Sequence, residues 1–528
     1  MGGDFAGPYG FKWHPWAREP HDSQASYNVA MKAAQMGLTE VGINRAFYIL
    51  DVMKRDVLYV LPTALNASDF SKARFGPALK LSPYLKHMFT DTNTVNLKQA
   101  GTTNLYIRGS RGDSNLKSIP VSELILDEVD EMDQDQVWLA LERLSGQLTK
   151  NVWAISTPTV PNHGVSKLYQ PSTQEHFVFQ CPRCSKWTEL VWPDCIEIIG
   201  ESVNDKRCYE SFLKCKECSG RLEHVEKPNW LATAEWHATN PDGDLDYRGF
   251  YINQMYSFTV SPGEMVIAYH RGLGDEGAMA EFHKSKLGLP FIPDGGQITD
   301  EQIDNTVRAH TKQDARPKSI NDQRCITMGV DQGDWLHIEI TEWFTDRFGR
   351  DLNAAAFGKV VWQGKYNVAA ENGWGRLDDL MREWQVLHCV TDADPNTNDA
   401  RQFARRFPGY VTLCRYRAGI PQRELAVTES DEFRTQLVTV DRTSWLDIAL
   451  GRFKQATPRI ALPRDVNLEY REHLKNLIRT YTKDKNGNPQ AEYIKTGADH
   501  YGHARCYSEI ALPFAASYVK GQDIKRFL

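Results

Sequence analysis

Two adjacent carboxylates close the apolar run Leu124-Ile-Leu-Asp127-Glu128. A strand that ends this way can hold Mg²⁺ through water at the first carboxylate and polarise an attacking water at the second. Asp127 is the candidate Mg²⁺ position and Glu128 the candidate base. Upstream, Lys32-Ala-Ala-Gln-Met-Gly-Leu-Thr39 has the polar and glycine content of a phosphate-binding loop but departs from G-x-x-x-x-G-K-[ST]. Gly37 and Thr39 match the second glycine and the hydroxyl, while Leu38 stands at the lysine position and Lys32 at the first glycine. A lysine at the loop's opening can still fold over phosphates, Thr39 can ligate Mg²⁺, and the helix that follows attracts anions at its N-terminus. Residue by residue, the plainer alternatives are a solvated acidic turn, a helix-entry glycine and a surface lysine.

A second chemistry lies in Cys181-Pro-Arg-Cys184 and Cys215-Lys-Glu-Cys218, with thirty residues between them. Two such knuckles facing one another complete a tetrahedral Cys₄ site for Zn²⁺, closed and therefore structural. A redox role needs a single knuckle opening a helix, and the strand-like Thr188–Trp192 between the pairs fits a metal better. Cys195 and Cys208 are spare, and Lys186, Arg207, Lys214 and Lys216 are either phosphate contacts or solubilising surface. A third chemistry is spread over Asp331, Asp392 and Asp499. Hydrolysis of a phosphodiester uses two divalent ions about 4 Å apart, and hard carboxylate oxygens suit Mg²⁺ or Mn²⁺. Each aspartate alone is as well explained by a cap or turn. Asp394 and Asp441 are the reserves.

Positioning these residues requires two sheets. Val29–Met31, Asp56–Thr63, Leu124–Glu128 and Val152–Pro158 are apolar runs closed by polar or turn residues, which reads as a parallel series. After the polar stretch through Lys318, Cys325–Asp331 and Leu336–Trp343 read as a hairpin, Val386–Asp392 as a strand, and Gly497–Ala504 as the start of a helix. Trp362, Trp374 and Trp384 read as core, and the basic stretch from Lys475 as a hairpin turning at Asn486-Gly487. Arg401, Arg405, Arg406, Arg415 and Arg417 are the residues from which a basic face would have to come.

The lysine-first loop, the Val-Leu-Pro-Thr strand, Asp-Glu-Val-Asp and Ser-Thr-Pro together resemble the large terminase subunit of tailed bacteriophages, in its lambda-type, GpA-like group. The resemblance spans nearly the whole chain and implies an α/β fold. In it a P-loop (ASCE-type) ATPase over residues 1–300 carries an inserted zinc ribbon at about 178–225 and a helical region at about 245–300. A linker at 301–322 and an RNase H-like nuclease over 323–528 follow. It carries Lys32, Gln35, Gly37 and Thr39 onto the phosphate loop, Asp127 and Glu128 onto the Mg²⁺ and water positions, and Ser156, Thr157 and Pro158 onto the motif that couples hydrolysis to motion. It also implies an arginine at the γ-phosphate, for which Arg74, Arg108 and Arg111 are candidates. His14–Arg18 lies near the adenine or is ordinary packing. In the nuclease it carries Asp331, Asp392 and Asp499 onto the metal ligands, with His503-Ala where a second aspartate is common. The implied activity is ATP-driven packaging of double-stranded DNA into a procapsid and metal-dependent cutting of concatemers. Its implied partners are the portal protein, the small terminase subunit and further copies in a ring, in the cytoplasm of an infected bacterium.

The whole chain is compatible with this. At 528 residues it exceeds one ordinary core, and 41% hydrophobic with 25% charged residues are globular values. No run reaches membrane-span length, and Met-Gly-Gly-Asp-Phe lacks signal-peptide regions, so a cytoplasmic address with the ten cysteines reduced or metal-bound is expected. A net charge of −6 excludes a uniformly basic coat but not a local basic channel. The rivals are a transposase or integrase that keeps the acidic triad and zinc, and a DNA-binding scaffold without ATPase activity.

Overall fold

Runs of Val, Ile, Leu and aromatic residues assemble into two large sheets, one in each of two units. The computed structural model describes residues 9–89, 93–111, 116, 119–311, 325–344, 352–417, 426–429, 435–483 and 488–520. The first unit comprises Met1–Pro293 with Thr480–Gln490, and the second Asp294–Arg479 with Ala491–Leu528.

In the first unit the strands are β1 (Tyr27–Lys32), β2 (Val57–Leu61), β3 (Leu97–Ala100), β4 (Thr103–Gly109), β5 (Glu123–Asp127), β6 (Asn151–Ser156) and β7 (Glu175–Gln180). They continue as β8 (Trp187–Thr188), β9 (Ile196–Glu197), β10 (Phe212–Lys214), β11 (Arg221–Leu222), β12 (Glu235–Ala238) and β13 (Tyr247–Ile252). The main sheet runs β12-β7-β13-β1-β6-β5-β2-β4-β3, with β8 on β7. Neighbours from β13 to β4 are parallel, and every residue of β2 and β5 is buried, as parallel strands covered on both faces must be. The helix Leu38–Asp51 lies on this sheet at Gly42, where a Cβ would meet Ile155 and Trp153 side chains at 3.3 Å. Arg45 of that helix forms an ion pair with Glu123, which is wholly buried on β5.

Two expectations are corrected here. The stretch 245–300 is not only helical: it opens with β13, a central strand directly beside β1, before the helices Pro262–Gly272 and Glu276–Glu281 begin. Thr188–Trp192 is not a full strand, because pairing ends at Thr188. The cysteine-bearing stretch is an insertion between β7 and β12, which pair antiparallel at one side of the sheet, and it carries its own three-stranded sheet β11-β10-β9.

In the second unit the strands are β14 (Cys325–Asp331), β15 (Trp335–Phe344), β16 (Phe357–Asn367), β17 (His388–Asp392), β18 (Val411–Tyr416), β19 (Ala426–Glu429), β20 (Gln436–Val440) and β21 (Ile460–Ala461). Their order is β19-β20-β18-β17-β14-β15-β16-β21. β14, β15 and β16 form an antiparallel meander, and β17, β18 and β20 follow parallel to β14. Part of the expected linker belongs to this unit's structure: Thr299 caps the helix Asp300–Asp304, and Ile298 and Ile303 are buried in its core. The long helix His500–Lys520 lies across β14 at Gly329, where a Cβ would be 2.0 Å from the Ala504 carbonyl oxygen. Only glycine permits that approach. Inside, Arg505 bonds Glu339 and, at 2.6 Å, Glu509, which Arg452 also binds at 2.6 Å. Removing one partner from so buried a network costs about 3–5 kcal/mol. Trp374 and Trp384 are core, as expected. The strands Leu477–Lys483 and Pro489–Lys495 do pair, while the turn at Asn486-Gly487 and the end of the polar stretch at Lys318 lie outside the described residues.

Candidate functional site

In the first unit β1 ends at Lys32, and Gly37, in the left-handed region at φ 77, starts the helix Leu38–Asp51. A Cβ on Gly37 would be 2.7 Å from the His14 ring, so glycine also makes room for the N-terminal segment. The loop's first two amides are already held, Ala33 N–H donating to the Ile252 carbonyl at 2.8 Å and Ala34 N–H to that of Ser285 at 2.9 Å. Gln35 takes a left-handed φ of 60. The Lys32 ammonium, buried, is 3.2 Å from Glu128 Oε1 and 3.2 Å from Thr157 Oγ1. Thr39 Oγ1 is 3.4 Å from Asp127 Oδ1. Loop, acidic strand and Ser-Thr-Pro turn therefore meet.

Asp127 is 2% exposed, and the Tyr59 hydroxyl donates to its Oδ2 at 2.7 Å. Burial, and then the Glu128 charge, push its carboxyl up to about 6. Glu128 is a non-glycine residue in the left-handed region (φ 62, ψ 56), a conformation that costs about 1–2 kcal/mol. It turns the side chain back towards Lys32, and its Oε2 accepts from Ser156 Oγ at 3.3 Å and Thr157 N–H at 3.4 Å. Asp130 ties the same two loops together: its carboxylate accepts from Thr159 N–H, Thr159 Oγ1 and Val165 N–H, each at 2.7 Å.

A cavity of about 340 Å³ is lined by Lys32, Gln35, Gly37, Thr39, Arg74, Asp127, Glu128 and Thr157. Next to it a cavity of about 630 Å³ is lined by Trp13, His14, Gln35, Gly37, Arg74 and Phe258. Both are of the size that hold small molecules. Arg74 borders both and pairs with Glu40 at 2.6 Å. Arg108 donates instead to the carbonyls of Asn96 and Ile107, and neither it nor Arg111 lines either cavity. Spacing marked the loop and the acidic strand; it did not single out Tyr59, Asp130 or Arg74.

The four knuckle cysteines bring their sulfurs within 4.8 Å of one another, with Cys181 and Cys218 Sγ 3.9 Å apart. A tetrahedral ion 2.3 Å from each sulfur sets that separation at about 3.8 Å. The knuckles repeat one geometry. Cys181 and Cys215 accept at their carbonyls from Ser185 and Ser219 N–H at 2.8 Å, their sulfurs lie 3.4 Å from Arg183 and Glu217 N–H, and Ser185 and Ser219 are both left-handed. The donor set fits Zn²⁺. Arg207, Lys214 and Lys216 are engaged by Asp205, Glu197 and Glu189 at 2.8, 2.8 and 2.9 Å.

In the second unit Asp331 and Asp392 are the last residues of the adjacent parallel strands β14 and β17, whose preceding residues Val330 and Thr391 are register partners. Burial, then the Asp331 charge, push the Asp392 carboxyl up to about 6. Gln332 Nε2 donates to the Asp392 carbonyl at 2.8 Å, joining the two strand ends. Asp499 stands just before the long helix and is held below the ordinary carboxylate range; burial opposes this, and His503, Arg442 and Lys495 outweigh it. His503 Nε2 is 3.2 Å from Asp499 Oδ2 and its Nδ1 3.2 Å from the Tyr416 hydroxyl. His500, which spacing did not single out although it adjoins Asp499, bonds Asp331 Oδ2 through Nδ1 at 2.9 Å. The reserves have other duties. Asp394 pairs with Arg415 at 2.8 Å, and Asp441 caps the helix Arg442–Lys454. Arg406 is likewise held by Asp378 at 2.7 Å, so Arg406 and Arg415 are not free cations.

Among the described residues no helix is long and apolar enough to cross a membrane. The family model for the phage terminase large subunit gpA ATPase domain matches residues 3–236, and that for the terminase large subunit gpA endonuclease domain matches residues 247–515. No curated protein matches the chain. Among solved structures, the large terminase of bacteriophage HK97 is similar at 12% identity, covering 96% of this chain and 95% of that one, with a TM-score of 0.45. The large terminase of a thermophilic bacteriophage follows at 11% identity, 96% and 99% coverage and a TM-score of 0.32. The magnesium-bound large terminase nuclease of a further thermophilic phage, G20c, covers 40% of this chain and 97% of its own at 12% identity, with a TM-score of 0.25. With both of its family's domains matched in order along one polypeptide, this chain belongs to the phage terminase large subunit gpA family, an ATPase and endonuclease that packages and cuts DNA.

Proposed function

We propose that the cavity between β1, β5 and β6 is the ATP site of the packaging motor. The observation that carries this reading is the meeting of Lys32, Thr39, Asp127, Glu128 and Thr157 around one space. Lys32, Gln35 and Gly37 receive the phosphates, and Thr39 and Asp127 hold Mg²⁺, which neutralises charge developing on the transferred phosphoryl group. Glu128 polarises the attacking water. Lys32 pairs with it beforehand and can exchange that partner for a phosphate, while Ser156 and Thr157 bond the same carboxylate and so sense its release. Arg74 is the arginine that faces the phosphates, and the cavity at Trp13, His14 and Phe258 receives the base. The test is DNA-stimulated ATP turnover in Glu128→Gln: a loss of at least 100-fold with ATP binding retained is expected, and intact turnover would overturn the assignment.

The same reading divides the chain into a motor that ends near Pro293 and a nuclease whose unit takes in the helix Asp300–Asp304 from the stretch expected as linker. The motor is P-loop-like in its parallel sheet, and the nuclease is RNase H-like in its antiparallel meander followed by parallel strands. Cys181, Cys184, Cys215 and Cys218 hold one structural Zn²⁺ in a ribbon at about 178–225. Asp331, Asp392 and Asp499 hold the Mg²⁺ or Mn²⁺ of the nuclease. Double-stranded DNA, the portal protein, the small terminase subunit and a ring of identical copies are the partners, in the cytoplasm of the bacterial host.

A further inference from the structure

Asp331 has a second set of neighbours besides the carboxylates. Its register partner across the β14–β15 ladder is His337, and His500 bonds it from the start of the long helix at 2.9 Å. One ligand atom from each of Asp331, His337 and His500 falls within 4.8 Å of the others. An ion about 2.1 Å from each ligand holds them about 3.0–4.2 Å apart, so the ligand atoms lie near bonding separations. The two imidazoles stack with centroids 4.5 Å apart at an interplanar angle of 12°, so ligation of one ion through their in-plane lone pairs requires a ring to rotate out of the stack. His337 is 5% exposed, and its Nδ1 is buried without a hydrogen-bond partner. A buried imidazole with an unpartnered nitrogen has an uncompensated desolvation cost, which ligation of a metal with the neighbouring carboxylate and imidazole would offset.

We propose that Asp331, His337 and His500 form a nitrogen-containing site for a divalent transition-metal ion in the endonuclease unit, adjoining the carboxylate site and sharing Asp331 with it. Two imidazoles and one carboxylate favour Mn²⁺ and its later neighbours over Mg²⁺, which takes oxygen ligands and gives up water reluctantly. The other oxygen of Asp331 remains available to the ion held with Asp392 and Asp499. This deepens the nuclease reading and rests on it for the sharing of Asp331, but the existence of the histidine site can be tested separately.

The test uses the full-length chain titrated with Mn²⁺ alone, with free Mn²⁺ followed by electron paramagnetic resonance and the bound ion examined by pulsed methods for ¹⁴N coupling. His503, 3.2 Å from Asp499, is the other imidazole beside an expected Mn²⁺ position, so the coupling is assigned to this site by its loss in His500→Ala and its retention in His503→Ala. The expected result is a ¹⁴N-coupled ion that persists in a hundredfold excess of Mg²⁺. His500→Ala, an exposed position whose loss leaves the core intact, should weaken it at least tenfold. His473→Ala, which removes a neighbouring ring of the cluster and none of the three ligands, should retain the coupling. Absence of ¹⁴N coupling in the parent, or unchanged binding in His500→Ala, overturns the proposal. Asp392→Asn separates the two readings: it should abolish cleavage while the ¹⁴N-coupled ion stays bound. Cleavage retained in that variant counts against the carboxylate site and leaves the histidine site standing.

Discussion

Tyr59 illustrates what one hydroxyl can decide. Its ring is completely buried on β2, and its oxygen supplies a hydrogen bond to Asp127 on the neighbouring strand. A bond of that kind orients a metal-binding carboxylate, and its loss typically weakens metal affinity tenfold or more. Tyr59→Phe keeps the packing and should raise the Mg²⁺ concentration for half-maximal ATP turnover about tenfold, with circular dichroism unchanged. An unaltered Mg²⁺ dependence would show the hydroxyl to be merely accommodated. Asp127 and Glu128 were legible because a polar doublet interrupts an apolar run. Tyr59 was not, because a tyrosine in a buried strand has the same appearance whether or not its hydroxyl faces a site. His337 and His500 were hidden for another reason: one is linked to Asp331 by a cross-strand register and the other by a helix more than a hundred residues away.

Elements placed by glycine give sharper expectations. Ala at Gly329 would drive a methyl group into the backbone of the helix His500–Lys520, at Ala504 and Ser508. Gly329→Ala should therefore cost about 3 kcal/mol in urea unfolding of the second unit and lose metal-dependent cleavage with it. Stability like that of the parent would mean the helix can shift freely. A different constraint holds the helix Lys227–Trp230, whose Lys227 ammonium is buried and donates to the Ser257 carbonyl at 2.6 Å. Burial lowers this amine from its ordinary 10.5 to about 7. Between those values the unfolded chain binds more protons than the folded one, so this lysine makes stability rise with pH from about 7 to 10.5; below 7 the folded state bears the full cost of the buried charge. Lys227→Met should gain roughly 1–3 kcal/mol over the parent at pH 6, and the gain should shrink towards pH 10 in denaturant titrations. A pH-independent difference would refute the burial argument. Strand existence was well indicated at this scale, since short buried parallel strands read as apolar runs. The place of β13 was not: it owes its position beside β1 to a pairing formed across more than two hundred residues of chain.

For the molecule as a whole, length left three domains or two large ones open, and composition indicated folded units but not their limits. Residues 298 and 303 look like part of a polar connector until their burial in the second core is seen. The Cys₄ cluster was legible from spacing alone, because a knuckle is local and its duplication is visible in one dimension. Its expected metal content is one Zn²⁺ per chain by elemental analysis, and chelation should open the segment between Cys181 and Cys218 to protease before ATP binding is lost. Loss of ATP binding first would tie the cluster to the nucleotide site instead. The matched ends of β14 and β17 have a wider consequence. Parallel strands are about 4.8 Å apart, and a two-metal centre spaces its ions at about 4 Å. The distance between the carboxylates of Asp331 and Asp392 is thereby gauged by the rungs of a backbone ladder, which acts as a ruler. If these carboxylates hold the proposed metal ions, surrounding loops can diverge in length and composition without changing the spacing of those ligands.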